Sequence, residues 1–230
     1  MGYEGAKDER KLENQCGFHR GRGCTGQIFT LRLILQHRER YNLPIINMLL
    51  DFVAAFDSVT RPVEFIELLK PYYEHCKATV RVLAEETEAF NVESGVKQGF
   101  TLSPILFNYC IDRVLEKAPT NFDGVIMGLG INVSDLDYAD DIVALTADPA
   151  TTQDILSDIA CFFQLLSIKI NTVKTKVMDL NILSDYQLVL YKEELEKVES
   201  FTYLDSLIDS LGGCDLDIRV LHFGIVLVDA

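Results

Sequence analysis

Three aspartates stand where the local pattern gives structure little reason to want them. Asp51 closes a short apolar run, and Asp140 and Asp141 sit side by side between two runs of strand character. Half-burying like charges is costly unless a cation neutralises them. A hard divalent ion such as Mg²⁺ takes carboxylate oxygens together with substrate phosphates, and a pair of such ions can serve both the attacking and the leaving oxygen of a phosphoryl displacement. An Asp-Asp pair is equally an ordinary surface turn, where Asp is favoured for its own backbone hydrogen bonding. Spacing by itself leaves both readings open.

The elements that must position these acids follow from periodicity. Ile28, Leu31 and Leu35 mark one face of a helix running to about Tyr41, with Thr25 as N-cap and Pro44 as its stop. Residues 45–52 read as a continuously apolar, buried strand with Asp51 emerging at its end. Residues 63–70 are helical up to Pro71, and residues 79–83 and 89–92 form a hairpin around the acidic segment 85–88. Ser103 and Pro104 open a helix through Ala118 as N-cap and N1. After the Gly-rich stretch 124–130, residues 135–138 and 142–145 flank a tight turn that carries the paired acids. Thr151 and Asp154 resemble a capping box, followed by a core stripe of Ile155, Ile159, Phe162, Phe163 and Leu166. The fold class is α+β, an antiparallel sheet packed on helices.

Composition narrows the function classes. The 230 residues are 48% hydrophobic, enough for a buried core, and the longest apolar runs are far too short to span a membrane. The amino terminus has no apolar signal segment and the six cysteines form no CxxC pair, so the expectation is an intracellular protein of nucleus or cytoplasm without membrane contact. Net charge is -14, and residues 131–230 hold 18 acidic against 6 basic side chains. Few cations remain to meet phosphates, so nucleic-acid affinity is expected to be weak and steeply salt-sensitive. His19, His37, His75 and His222 have no ligand spacing.

Six ordered blocks then carry a family resemblance. Tyr138-Ala139-Asp140-Asp141 resembles the YxDD signature of reverse transcriptases, and Asp51-Phe52-Val53-Ala54-Ala55-Phe56-Asp57 resembles the first catalytic motif in its non-LTR (LINE-type) retrotransposon form. Ser94-Gly95-Val96-Lys97-Gln98-Gly99 with Leu102-Ser103-Pro104 is similar to the block between them. Gln15-Cys16-Gly17-Phe18 with Gly21-Arg22-Gly23 resembles the fingers motif, Lys169-Ile170-Asn171 with Lys174-Thr175-Lys176 the downstream motif, and Phe201-Thr202-Tyr203-Leu204 the primer grip.

The resemblance implies a right-hand polymerase fragment lacking its thumb. Its parts are a ragged segment 1–14, a partial reverse transcriptase domain 15–219 (fingers remnant 15–43, palm 44–180, primer-grip region 198–210) and an unrelated tail 220–230. It implies Asp51, Asp140 and Asp141 as ligands of two Mg²⁺ ions, for which Mn²⁺ can substitute, and Lys174 as the proton donor to leaving pyrophosphate. Phe52, Phe56, Gln98, Gly99 and Arg22 fall at the dNTP, with the Phe56 ring set against a ribose 2′-hydroxyl, and Tyr203 and Leu204 at the primer. RNA template, DNA primer and dNTP are the implied partners.

The same comparison exposes departures. The connection after Val59 is about a dozen residues short, roughly three helical turns. His19, Gly26 and Asp205 stand where the family favours other residues, Asp205 replacing a glycine. These departures imply an alternative, a catalytically inactive palm-fold relic or interaction module. A third class, an acidic divalent-ion-binding module, leaves five of the six blocks unexplained.

Overall fold

The computed structural model describes residues 16–17, 21–53, 77–82, 85–91, 103–117 and 124–213. The expected helix at 63–70, Phe56, Gln98, Gly99 and the tail 220–230 lie outside the described residues.

The centre is a five-stranded sheet. Its middle strand is β1 (Ile45–Leu50), followed after one residue by the two-residue β2 (Phe52–Val53). β3 (Asp135–Tyr138) and β4 (Asp141–Thr146) form the hairpin expected around the paired acids. Lys169–Ile170 is β5, Lys176–Leu180 is β6, and Glu196–Lys197 is β7. The sheet order is β7-β6-β1-β4-β3, antiparallel except for the parallel β6–β7 pair. A further hairpin of β8 (Ser200–Tyr203) and β9 (Ser206–Asp209) packs beside it.

Both faces of β1 are covered, which is why its sequence shows no alternation. Ile46, Met48 and Leu50 join one core with α2 (Ser103–Lys117) and α3 (Pro149–Leu165), through Phe107, Ile111, Ile155, Ile159 and Phe163. Ile45 joins a second core with Val143, Leu145 and Met178, covered by Leu31, Ile34 and Leu35 of α1 (Cys24–Arg40) and by Phe201, Tyr203 and Ile208 of the β8–β9 hairpin. The sheet is thus the middle layer of three. No helix among the described residues is long and apolar enough to cross a membrane.

Local details depart from the sequence reading in five places. The expected strand 45–52 is not continuous, because the chain changes partner at Asp51: β1 pairs with β6, whereas β2 pairs with β5. Nor is it wholly apolar, since Asn47 is fully buried and donates from its amide to the Met178 carbonyl at 3.1 Å. The cap of α1 is Gly23 in extended conformation rather than Thr25, which already lies in the first turn. In α3 the cap is Asp148, not Thr151: its carboxylate accepts from the Ala150 and Thr151 N–H groups at 3.1 and 2.9 Å, and Pro149 follows at N1. The hairpin at 79–92 has a shifted register, Lys77–Ala78 pairing with Phe90–Asn91 and Arg81–Val82 with Glu85–Glu86. There the acidic segment enters the ladder because Arg81 and Glu86 are cross-strand partners joined by a 2.6 Å ion pair.

Candidate active site

Antiparallel register brings the acids together. In the β1–β4 ladder Leu50 lies opposite Ile142, so Asp51 just after β1 and Asp141 at the start of β4 come to adjacent strand ends. In the β1–β6 ladder Leu49 lies opposite Lys176, and Lys174 lies in the turn just before β6, near Asp51. The Lys174 Nζ stands 4.0 Å from Asp51 Oδ1. Like charges brought close together are unfavourable, so the approach of Asp51 and Asp141 favours a cation between them.

The hairpin that delivers Asp141 turns through Ala139 and Asp140. Ala139 is buried and takes a left-handed φ of +58°, a conformation that costs a non-glycine residue about 1 kcal/mol. Core packing on both strands holds that strain and leaves Asp140 exposed in the turn, with Asp141 as the first residue of β4.

A cavity of about 300 Å³ collects Asp51, Asp141, Lys174 and Lys176, together with Ser200, Phe201 and Thr202 of β8. Desolvation first, and then the charges of Asp140, Asp51 and Asp205, together push the Asp141 carboxyl up to about 6, although the residue remains open to solvent. Asp51 is also raised, first by desolvation and then by Asp140, while Lys174 and a hydrogen bond from Asn171 oppose the rise. Its Oδ1 is buried with no hydrogen-bond partner. Two crowded carboxylates, one with an orphaned oxygen, form a donor set that fits a hard divalent cation. Among the described residues no three His, Cys, Asp or Glu side chains stand close enough to hold a metal ion unaided. The protein would therefore supply part of a coordination shell, as Mg²⁺ sites completed by water and phosphate do.

The remaining candidates separate clearly. Asp140 acts on both neighbours through its charge without lining the cavity. Phe52 is buried and packs its ring on Phe163, centroids 4.5 Å apart, in the core next to Asp51. Tyr203 is fully buried with its hydroxyl donating to the Leu136 carbonyl at 3.2 Å, which pegs the β8–β9 hairpin to the sheet. Leu204 sits in the β8–β9 turn and packs on the second core. Arg22 is exposed and outside the cavity lining.

Lys176 and Thr202 fall inside quoted motifs without an assigned role, and Ser200 lies just before one of them. Their signal is alternation: Lys174 and Lys176 are two apart, as are Ser200 and Thr202, the spacing that puts strand residues on one face. Lys176 is tied down, its Nζ donating to the Val173 carbonyl at 2.8 Å and pairing with Glu196.

Asp205 bears on the site from the β8–β9 turn. Leu204 and Asp205 have φ of +50° and +65°, the pair of left-handed residues that a two-residue hairpin turn demands and that glycine satisfies most easily. Asp205→Gly is expected to raise stability by about 0.5–1 kcal/mol through relief of that strain. It should also lower the Asp141 pKa by removing a like charge; a thermal melt combined with a carboxyl titration checks both, and an unchanged Asp141 titration would show that the two carboxylates do not interact.

The result is a mainly antiparallel sheet backed by helices, with acids meeting at adjacent strand ends. Residues 8–206 match the family model described as reverse transcriptase (RNA-dependent DNA polymerase), and the chain belongs to that family. Its curated relatives are polyproteins of non-LTR elements. It is 27% identical over 172 residues to the Pol polyprotein of the type-2 retrotransposable element R2DM of Drosophila melanogaster, covering 70% of this chain and 16% of that protein. It is 32% identical over 128 residues to the Pol polyprotein of the type-1 element R2 of Nasonia vitripennis, covering 50% of this chain and 12% of that protein. The chain thus spans under a fifth of the length of these relatives. In fold it is similar to Candida tropicalis telomerase in complex with a TWJ fragment of telomeric RNA, with TM-score 0.59, 16% identity, and coverage of 90% of this chain and 34% of that one. The apo telomerase of the same organism matches with TM-score 0.53 and 15% identity over 86% of this chain and 40% of that one. Reverse transcriptases as a family use divalent metal ions, in keeping with the donor set at Asp51 and Asp141.

Proposed function

We propose that the chain is the palm, with part of the fingers, of an RNA-directed DNA polymerase of a non-LTR element, adding dNTPs to a primer 3′-hydroxyl on an RNA template. The observation that carries this reading is the one cavity shared by Asp51, Asp141, Lys174 and strand β8. Asp51 and Asp141, with Asp140 beside them, would hold Mg²⁺, which when bound lowers the pKa of the attacking hydroxyl and offsets triphosphate charge. Lys174, largely exposed, can reach a departing pyrophosphate and donate a proton to it from Nζ. Ser200 and Thr202 offer hydroxyl donors to the primer backbone at the cavity rim. Phe56, Gln98, Gly99 and Arg22 are assigned to the dNTP by the motif resemblance, and Phe56 would set the preference for deoxyribose.

A rival reading, a relic that keeps the fold without the reaction, is favoured by one observation: Asp205 adds a further negative charge to a site already crowded with acids. Primer extension on an annealed RNA template, with dNTPs and Mg²⁺, separates the two. Extension that requires Mg²⁺ and disappears in Asp140→Asn supports the polymerase; a folded chain that extends no primer at any Mg²⁺ or Mn²⁺ concentration leaves the relic.

A further inference from the structure

Asp51 occupies the point at which one strand ladder stops and another begins, and the groups that hold its backbone there come from a single loop. Residues 171–175 join β5 to β6, the partners of β2 and β1 on either side of Asp51. The Asp51 N–H donates to the Thr175 hydroxyl at 3.3 Å, and the Asn171 N–H donates to the Asp51 carbonyl at 2.8 Å. Both backbone polar groups of Asp51 are therefore spent on the same loop. The loop is stiffened internally: Asn171 Oδ1 accepts from the Val173 and Lys174 N–H groups at 3.2 and 3.3 Å, and the Thr175 N–H donates to the Asn171 carbonyl at 2.9 Å. Thr175 is fully buried, and a β-branched side chain so enclosed has little rotameric freedom, which fixes its hydroxyl in place.

We infer that Thr175 is a positioning residue for Asp51, and that the loop 171–175 is a clasp making the Asp51 carboxylate and the Lys174 ammonium one mechanical unit. A side-chain hydroxyl here replaces the ladder carbonyl that a continuous strand would supply. The strand can then break and turn the Asp51 carboxylate into the cavity without leaving a buried N–H unpaired. Lys174 is presented by the same turn that grips Asp51, so displacement of one moves the other. The inference rests on the reading of Asp51 as a metal-binding carboxylate.

Its test compares Thr175→Val, which keeps the shape and loses the hydroxyl, with Thr175→Ser, which keeps the hydroxyl. Thr152→Val serves as control, since Thr152 is another fully buried threonine whose hydroxyl bonds to Thr146 and the Asp148 carbonyl on the far side of the hairpin. Three readouts are taken on the intact chain: melting temperature, hydrogen exchange at the Asp51 amide, and Mn²⁺ affinity by electron paramagnetic resonance. Thr175→Val is expected to speed Asp51 amide exchange and to weaken Mn²⁺ binding, each by up to about tenfold, the loss of one hydrogen bond. Thr175→Ser should restore most of both. Thr152→Val should move the melting temperature by a similar amount and leave both site readouts unchanged. Equal site effects of Thr175→Val and Thr152→Val, or Asp51 exchange untouched by Thr175→Val, overturn the clasp. If the parent chain binds no Mn²⁺ at a site sensitive to Asp141→Asn, the polymerase reading fails, and amide exchange still decides whether Thr175 holds Asp51.

Discussion

Asp141→Asn is expected to stabilise the metal-free chain at neutral pH while removing the primer extension proposed for it. Burial and the charges of Asp140, Asp51 and Asp205 lift the Asp141 carboxyl from the ordinary 3.8 to about 6, so the folded state holds on to a proton that the unfolded state releases earlier. Between those two values the folded chain binds more protons than the unfolded one, and stability falls as pH rises through the window from about 4 to 6. Above it, the full cost of an ionised Asp141 is carried by the fold. An amide keeps the shape and sheds the charge, so the variant should melt higher than the parent at pH 7 and at the same temperature as the parent near pH 4. Divalent metal should reverse the order. In the parent, an ion bound at 100 times its dissociation constant adds about 2.7 kcal/mol, and in the variant it adds little. Primer extension should fall by about 10³-fold, the effect of losing several kcal/mol of charge stabilisation in the transition state. Melting curves with and without Mg²⁺ at pH 4 and pH 7 decide the matter; a variant that melts lower than the parent at pH 7 without metal would show that Asp141 is not under repulsion.

That trade between stability and charge explains why three aspartates stand out in the sequence as candidates, with the family resemblance supplying their proposed role, while the residues that support them do not stand out. Asp51, Asp140 and Asp141 break local patterns, and a broken pattern is visible one residue at a time. The β3–β4 hairpin was legible for the same reason, since strand-type runs around a two-residue turn have few other solutions. The break of β1 at Asp51 was not legible, because the mostly apolar residues around it record burial and carry no information on which strand they pair with. Tyr203 illustrates a second limit: its motif fixes its place in the chain, yet only the packing of β8 on the sheet shows that it points into the core. At α3 the capping-box reading at Thr151 passed over Asp148, whose carboxylate caps the helix with Pro149 at N1. Lys176 and Thr175 gained roles only when register placed them beside β1, a relation between residues more than a hundred positions apart.

Phe163→Ala is expected to cost about 3–5 kcal/mol, a large share of the roughly 5–15 kcal/mol that holds a domain together. Phe163 is fully buried in the core beneath β1, and its ring lies at 51° to that of Phe52 with centroids 4.5 Å apart, within the range of favourable aromatic pairs. Truncation removes the transfer free energy of the ring and leaves a cavity that the backbone of α3 cannot close, because Ile155, Leu156 and Ile159 pin the helix to the same core. The consequence extends beyond stability. Phe52 follows Asp51 directly, and with Phe163 gone the β2 strand loses the packing that sets its height relative to the cavity. A shift of about 1 Å at Asp51 can lower activity by about 10²-fold in the fraction that remains folded. Chemical denaturation should therefore show a lower midpoint with an unchanged slope, and Mn²⁺ binding measured well below that midpoint should be weakened. Phe163→Leu, which refills most of the volume, should recover much of the stability and less of the metal affinity, because it restores bulk without the tilted ring that Phe52 rests on. Full recovery of metal affinity by Phe163→Leu would mean that Asp51 is held by its backbone clasp alone.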